Sequence, residues 1–214
     1  MTEDTFDDWE TFLNPQKLKQ NLIRTSLFIS TYETIKSRIV DEIRGFYTFE
    51  WKLNEQTREM EPKIGDQYKK QVLDLYSKDE FHACCLWLVE GNAFTQEDLI
   101  TIAKARKHRN AITHEMSKFL ISPKTHSVDD QLFAAMIEII KKFDRWWFKE
   151  IEASINPEIY KGNIEETDWD NVIRLGTMSL QLMASLFDGD DTYLAEIHKL
   201  FVDEAKKNNK NPRP

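Results

Sequence analysis

The chain has 214 residues, and 41% of them are hydrophobic, which is enough for one sizeable core with a helical extension. Its 6 glycines and 6 prolines are few for a turn-rich β fold, so the composition predicts an all-α protein. The formal net charge of -8 excludes a general nucleic-acid coat, because such binding needs a broad cationic surface. A small site with local positive charge is compatible with this balance.

The sequence also indicates the compartment. Its two cysteines, Cys84 and Cys85, are adjacent, so they form no disulfide framework and favour a reducing environment. In their apolar run they are expected to be small core residues. The acidic start differs from the basic start of a signal peptide, and no apolar run is long enough to span a membrane. We therefore expect a cytoplasmic protein with no membrane partner.

The first part of the chain predicts two helices and a hairpin. Phe6, Trp9 and Phe12 lie at helical spacing in an acidic lead helix. From about 16 to 47, apolar residues step by three and four, which predicts a long amphipathic helix. Alternating apolar residues then predict a small β-hairpin insertion near 47–64, which is expected to be a structural flap over a core edge rather than a binding element.

Helix-start signals organise the middle of the chain. A capping box from Ser77 to Glu80 starts one helix, because the serine bonds forward and the glutamate reaches back. Thr95 starts another in a similar way, and this helix is expected to run to about Leu120. Ser127 opens a fourth long helix.

These elements predict four segments in chain order. The acidic lead helix occupies 1–15, and a bundle of four to five long helices occupies 16–155. Helices in 156–207 are expected to pack on this bundle as a C-terminal extension. The polar residues 208–214 are expected to form a disordered tail.

Three polar residues of the helix that follows Thr95 carry the most informative pattern. Arg109 is followed directly by Asn110, and His114 comes five positions after the arginine. At about 100° per residue, the three project within about 140° of one another, on an arc that also holds Leu99. This arc is expected to pack against another surface, where polar groups are costly unless they are paired or used.

Two interpretations of Arg109 and His114 follow from their chemistry. Buried arginine and histidine side chains are often structural and bond to a carboxylate or a backbone carbonyl. The pair also combines a planar cation that matches phosphate with a proton shuttle, since histidine moves protons near neutral pH. That combination suits the cleavage of an RNA phosphodiester.

Arg109, Asn110 and His114 together resemble the R-x(4–6)-H motif of the HEPN superfamily, and the resemblance covers residues 16–155. It implies an HEPN-like helical bundle that acts as a metal-independent endoribonuclease without a cofactor, and it implies these three residues as catalytic. Family members of this size resemble toxins of toxin–antitoxin pairs or abortive-infection and phage-defence effectors. They commonly form homodimers in which two motifs meet across a two-fold axis.

The resemblance and the chemistry predict a mechanism. His114 of one subunit takes the proton from the 2′-hydroxyl, and its mate protonates the leaving 5′-oxygen. Arg109 stabilises the charge that grows on the phosphate oxygens, and Asn110 orients the imidazole or bonds the phosphate. DNA lacks the 2′-hydroxyl and is expected to resist. Further contacts to RNA are expected from Lys104, Arg106, Lys107 and Thr113.

Two other classes of function stay open. The chain could be a non-catalytic helical dimerisation or adaptor module whose arginine and histidine serve an interface. It could also be a regulatory subunit that binds nucleotides or RNA without cutting them. Neither a carboxylate cluster nor a Cys/His ligand set accompanies the motif, so no metal site is expected. If the protein is a toxin or a defence effector, an antitoxin or a defence-system protein is expected as a partner.

Overall fold

The computed structural model describes residues 3–48, 50–63, 65–122, 124–155, 168, 174–187 and 192–210. Over these residues the regular secondary structure is helical apart from one short hairpin, which confirms the predicted all-α class. The α-helices are α1 (Glu3–Leu13), α2 (Pro15–Phe46), α3 (Asp66–Gln71), α4 (Glu80–Glu90), α5 (Gln96–His114), α6 (Met116–Ile121), α7 (Asp130–Trp146), α8 (Ala153–Ile155), α9 (Leu175–Phe187) and α10 (Thr192–Lys210). A 3-10 turn covers Leu73–Leu75, and a π-helical turn covers Trp147–Glu152.

The chain divides into two compact units. The first comprises Met1–Ile29, Ala111–Val128 and Leu175–Pro214, and the second comprises Ser30–Asn110 and Asp129–Arg174. The division falls inside α2 and inside α5. The predicted domain bounds at 15, 155 and 207 stay a prediction.

In the first unit, the start of α2 contacts the end of α9. The buried Phe187 ring lies 4.3 Å from the guanidinium carbon of Arg24, and its carbonyl accepts a hydrogen bond from Gln20 Nε2 at 2.9 Å. Polar contacts join α1 to the end of α6, where Ser122 Oγ donates to Asp8 Oδ2 at 2.6 Å. The fully buried apolar side chains here include Phe28, Ile112 and Leu180.

The second unit has a core rich in aromatic side chains. Tyr47 at the end of α2 contacts Trp87 of α4 edge-on at 6.1 Å, and its hydroxyl accepts from the indole Nε1 at 3.1 Å. Trp146 and Trp147 extend this cluster into the end of α7. A fully buried Asp144 is paired with Arg38 at 2.8 Å, which compensates a charge that would be costly alone.

The predicted hairpin is present. Strands β1 (Glu50–Leu53) and β2 (Met60–Lys63) pair antiparallel, with Leu53 opposite Met60. Asn54 Oδ1 accepts from the backbone of Gln56 at 2.9 Å and so shapes the connecting loop. Leu53 and Met60 are both more than half exposed, so this end of the hairpin does not cover a core edge as a flap would.

The helix-start predictions are partly correct. The long helix predicted over 16–47 is confirmed by α2. The predicted capping box at Ser77 is wrong, because Asp79 is the N-cap of α4 and its carboxylate accepts from the backbone of His82 at 3.2 Å. A carboxylate directly before the first turn also complements the helix dipole, which the more distant Ser77 cannot do. Asp129, rather than Ser127, caps α7 by accepting from Leu132 N at 2.9 Å.

The C-terminal part of the chain is described in part. Residues 156–167, 169–173 and 188–191, which belong to the predicted C-terminal extension, lie outside the described residues. Helix α10 continues through Lys210, into the segment that was expected to be a disordered tail, and 211–214 lie outside the described residues. Among the helices that are described, none combines the length and the apolar character needed to cross a bilayer.

Candidate active site

Helix α5 carries every residue of the predicted site, and its start is as expected. Thr95 Oγ1 accepts from the backbone of Asp98 at 3.3 Å, while Thr95 N donates to the Asp98 carboxylate at 2.7 Å. This reciprocal pair satisfies two donors that a helix start leaves without helical partners. Acidic residues in the first turn also suit the positive end of the helix dipole.

The end of α5 differs from the prediction. The helix stops at His114, and Glu115 (φ -124°, ψ 29°) leaves helical geometry before α6 begins. The expected continuous helix to Leu120 is therefore wrong. No glycine or proline marks this break, and the backbone bond from Glu115 N to Ala111 O at 2.9 Å closes the last turn. His114 is consequently a terminal residue of its helix rather than an internal one.

The buried face of α5 also differs from the expected arc. Ala105 and Ile112 are the buried residues of the helix, whereas Thr113 and His114 are exposed. His114 lies about 200° around the helix from Ile112, so it projects almost directly away from the buried face. Within this chain the histidine ring is accessible to solvent, and the expected packing of its arc against another surface stays a prediction.

Arg109 lies at the border between the two faces and is held by α2. Its side chain is 25% exposed, and Nη2 forms a close ion pair with Glu33. The guanidinium carbon lies 5.3 Å from the centre of the Tyr32 ring, which is a cation–π contact. Burial raises the pKa of the Tyr32 hydroxyl, although the nearby Arg106 and Arg109 oppose this rise. These contacts hold the Arg109 side chain in place. A phosphate that binds Arg109 would have to displace the Glu33 carboxylate or share the guanidinium with it.

Asn110 forms a hydrogen bond with Arg109. Its Oδ1 accepts a hydrogen bond from Arg109 Nη1 at 2.8 Å. No hydrogen bond joins Asn110 to His114 within the described part of the chain, so the expected orientation of the imidazole by this amide is not seen. The bond to Arg109 instead fixes one edge of the guanidinium fork.

The remaining predicted RNA-contacting residues differ in their surroundings. Lys104 and Lys107 are exposed, as is Thr113. Arg106 is 54% exposed and forms a close ion pair with Asp79, the cap of α4. Burial alone would raise the pKa of Asp79, but hydrogen bonds from Arg106 and from the His82 backbone hold it below its ordinary value. Arg106 therefore already has a structural partner.

One exposed stripe of α5 brings Lys107 and His114 together. The two residues are separated by two helical turns and project within about 20° of each other. Asn110 lies between them along the helix and within about 60° of both. The spacing along the axis from Lys107 to His114 is about 10 Å. A phosphate chain that lies along this stripe would meet a cation and then an accessible imidazole.

The partners of Arg109 could not be found from the motif. Glu33 and Tyr32 come from α2, far earlier in the chain, and no spacing rule links them to Arg109. His126 Nε2 lies 3.9 Å from the carboxylate of Glu115, the residue after His114. Its ring also meets Phe119 edge-on at 5.8 Å.

Comparisons with protein-family models, with curated proteins and with solved structures found no significant match to this chain. A functional assignment therefore rests on the residues and their geometry. Among the described residues, no three His, Cys, Asp or Glu side chains are grouped closely enough to hold a metal ion. Cys84 and Cys85 are buried core residues, as expected, and burial raises the pKa of the Cys84 thiol to about 11.

Proposed function

We propose that this protein is an endoribonuclease of the HEPN type that uses Arg109, Asn110 and His114. The observation that carries the proposal is the accessible His114, which lies on the same exposed stripe of α5 as Lys107. No hydrogen bond or ion pair joins the His114 imidazole to another described residue. A histidine that only served the fold would be expected to be buried and bonded, and this one is neither.

The reaction uses a nucleophile that RNA itself provides. His114 takes the proton from the 2′-hydroxyl, and the 2′-oxygen forms a bond to phosphorus while the bond from phosphorus to the 5′-oxygen breaks. The 5′-oxygen receives a proton from a second acid, so the products are a 2′,3′-cyclic phosphate and a 5′-hydroxyl. Arg109 stabilises the charge on the phosphate oxygens in the transition state. Its ion pair with Glu33 holds the guanidinium until the phosphate competes for it.

The second acid is the histidine of a second copy of the chain. One motif supplies one imidazole, and a symmetric homodimer brings its copy opposite. This proposal is tested by mass in solution and by subunit mixing. When wild-type and His114→Ala subunits are mixed and allowed to exchange, activity should fall more steeply than the fraction of wild-type subunits, because a mixed dimer holds only one of the two imidazoles. A fully active monomer would contradict it.

In the cell, such an enzyme acts on RNA in the cytoplasm as a toxin or as an abortive-infection and phage-defence effector. This role needs a partner that restrains it, either an antitoxin or a defence-system protein. Induced expression should arrest growth, whereas His114→Ala should not. If the active protein is tolerated at high level without any partner, the toxin role is excluded.

The direct test is cleavage of a labelled single-stranded RNA by the purified chain in excess EDTA. We expect products with cyclic-phosphate ends, and we expect no products from His114→Ala. His198→Ala is the matched control, because His198 is another exposed histidine on a helix, and it should cut at the wild-type rate. Activity that vanishes with the chelator and returns with Mg²⁺ would contradict the mechanism.

A second function is favoured by the surroundings of Arg109. Its ion pair with Glu33 and its stacking on Tyr32 are what a structural arginine would make. On this alternative the chain is a non-catalytic dimerisation, adaptor or RNA-binding regulatory module. Wild-type protein that binds but never cuts RNA, at any concentration, would favour this alternative over the enzyme.

A further inference from the structure

A basic cleft lies in the second unit, away from the motif end of α5. It is formed by the loop 91–93, which follows α4, and by the end of α7 with the π-helical turn behind it. Its volume is about 530 Å³, which is in the range of sites for small organic ligands. The side chains that matter here are Lys142, Arg145, Trp146 and Lys149.

Trp146 forms a fixed aromatic wall of this cleft. Its Nε1 donates to the carbonyl of Gly91 at 3.0 Å, and its ring meets Trp87 edge-on at 5.9 Å. A Cβ on residue 91 would lie 3.0 Å from Trp146 Cζ2, so the close approach of the ring favours glycine there. An indole held in this way offers a surface for stacking without a large cost in conformational entropy.

Three cationic side chains and one carboxylate, that of Glu150, line the cleft in a chain whose net charge is -8. Lys142 and Arg145 lie within about 60° of one another around α7, and Lys149 follows in the π-helical turn. Lys142 is paired with Asp98 at the start of α5, and Lys149 lies 3.6 Å from Glu150. The π-helical turn begins directly after Trp146, and such turns occur often at functional sites.

We propose that this cleft binds a nucleotide unit of single-stranded RNA, with its phosphate at the cations and its base against Trp146. Cationic grooves with aromatic platforms are the general means by which proteins bind single strands. The inference rests on the proposed function and deepens it by giving the substrate a second contact. The Lys142–Asp98 pair ties the cleft to the first turn of α5, about 16 Å along the helix from Arg109.

The test measures binding of a labelled single-stranded RNA decamer to the His114→Ala protein, in which cleavage does not interfere. Lys149→Glu should weaken binding at least about fivefold, and Lys149→Gln should reduce the salt dependence by about 0.7 in the logarithmic slope. The matched control is Lys17→Glu, because Lys17 and Lys149 are similarly exposed (50% and 56%) and each is paired with a glutamate. This control should bind as tightly as the parent.

Each outcome decides the inference. If Lys149→Glu binds the decamer as tightly as Lys17→Glu does, the cleft is not an RNA contact. If AMP binds the cleft and the decamer does not, the ligand is a free nucleotide and the RNA assignment is overturned. If the wild-type chain fails to cut RNA while Lys149→Glu still weakens binding, the cleft stands and the enzyme proposal fails. Equal melting temperatures of the two variants confirm that the comparison concerns folded protein.

Discussion

Replacement of His114 by alanine should separate catalysis from stability. A general base or acid contributes about 10²–10⁴-fold to a rate, so the cleavage rate should fall at least about hundredfold. The free energy of unfolding should change by less than about 0.5 kcal/mol, because His114 is exposed and has no hydrogen bond or ion pair to another described residue.

Arg109→Ala should behave differently, since its side chain has structural contacts as well as its proposed role. The partly exposed ion pair with Glu33 and the cation–π contact with Tyr32 are each worth about 0.5 kcal/mol. Their loss should cost about 1 kcal/mol and lower the melting temperature by about 2–4 °C in a chain of this length. Activity should fall as far as in His114→Ala, because the guanidinium stabilises the transition state.

The assay combines initial cleavage rates on a fluorogenic RNA with urea unfolding of the same preparations. His198→Ala should match the wild type in both measurements, which controls for the loss of an exposed imidazole. Arg109→Lys keeps the charge but loses the planar fork, so it should recover stability better than activity. If His114→Ala lowers the free energy of unfolding as much as Arg109→Ala does while cleavage continues, His114 is a structural residue and not a catalytic one.

Three further predictions concern other parts of the chain. Burial lowers the pKa of His108 in the folded state below its unfolded value near 6.5. The free energy of unfolding should therefore be highest above about pH 6.5 and fall as the pH drops below it. His108→Gln should flatten this fall when unfolding is measured from about pH 7.5 to about 5.5. Gly91→Ala should destabilise the protein by about 1 kcal/mol, because its Cβ would meet Trp146. Gly45→Ala should stabilise the protein, because the space around its Cβ is open. Thermal unfolding of both variants measures these changes. The buried Cys84, whose pKa is raised to about 11, should react with a thiol reagent at pH 8 only upon unfolding, and Cys84→Ser should leave cleavage intact.

The helical architecture was predictable because it depends on local signals. The apolar periodicity of α2 and the reciprocal bonds of Thr95 and Asp98 are determined by residues a few positions apart. The hairpin was also predictable, since alternating residues flank Asn54, a residue that bonds its own loop. These features need no knowledge of the rest of the chain.

The surroundings of the candidate site were not predictable from the motif. The end of α5 at His114 has no glycine or proline to mark it, and the buried face of the helix is determined by what packs against Ala105. The pairing of Arg109 with Glu33 depends on the tertiary packing of α2, which periodicity does not specify. For the same reason the sequence did not show that His114 is accessible to solvent within the single chain.

The proposed reaction cuts RNA through the substrate's own 2′-hydroxyl. A DNA oligonucleotide that contains a single ribonucleotide, incubated with the wild-type chain in EDTA and analysed by mass spectrometry, isolates this step. We expect one cut, on the 3′ side of the ribonucleotide, which leaves a 2′,3′-cyclic phosphate and a 5′-hydroxyl, and no cut in the all-DNA control. Cleavage of the all-DNA strand, or ends that carry a 5′-phosphate, would contradict it.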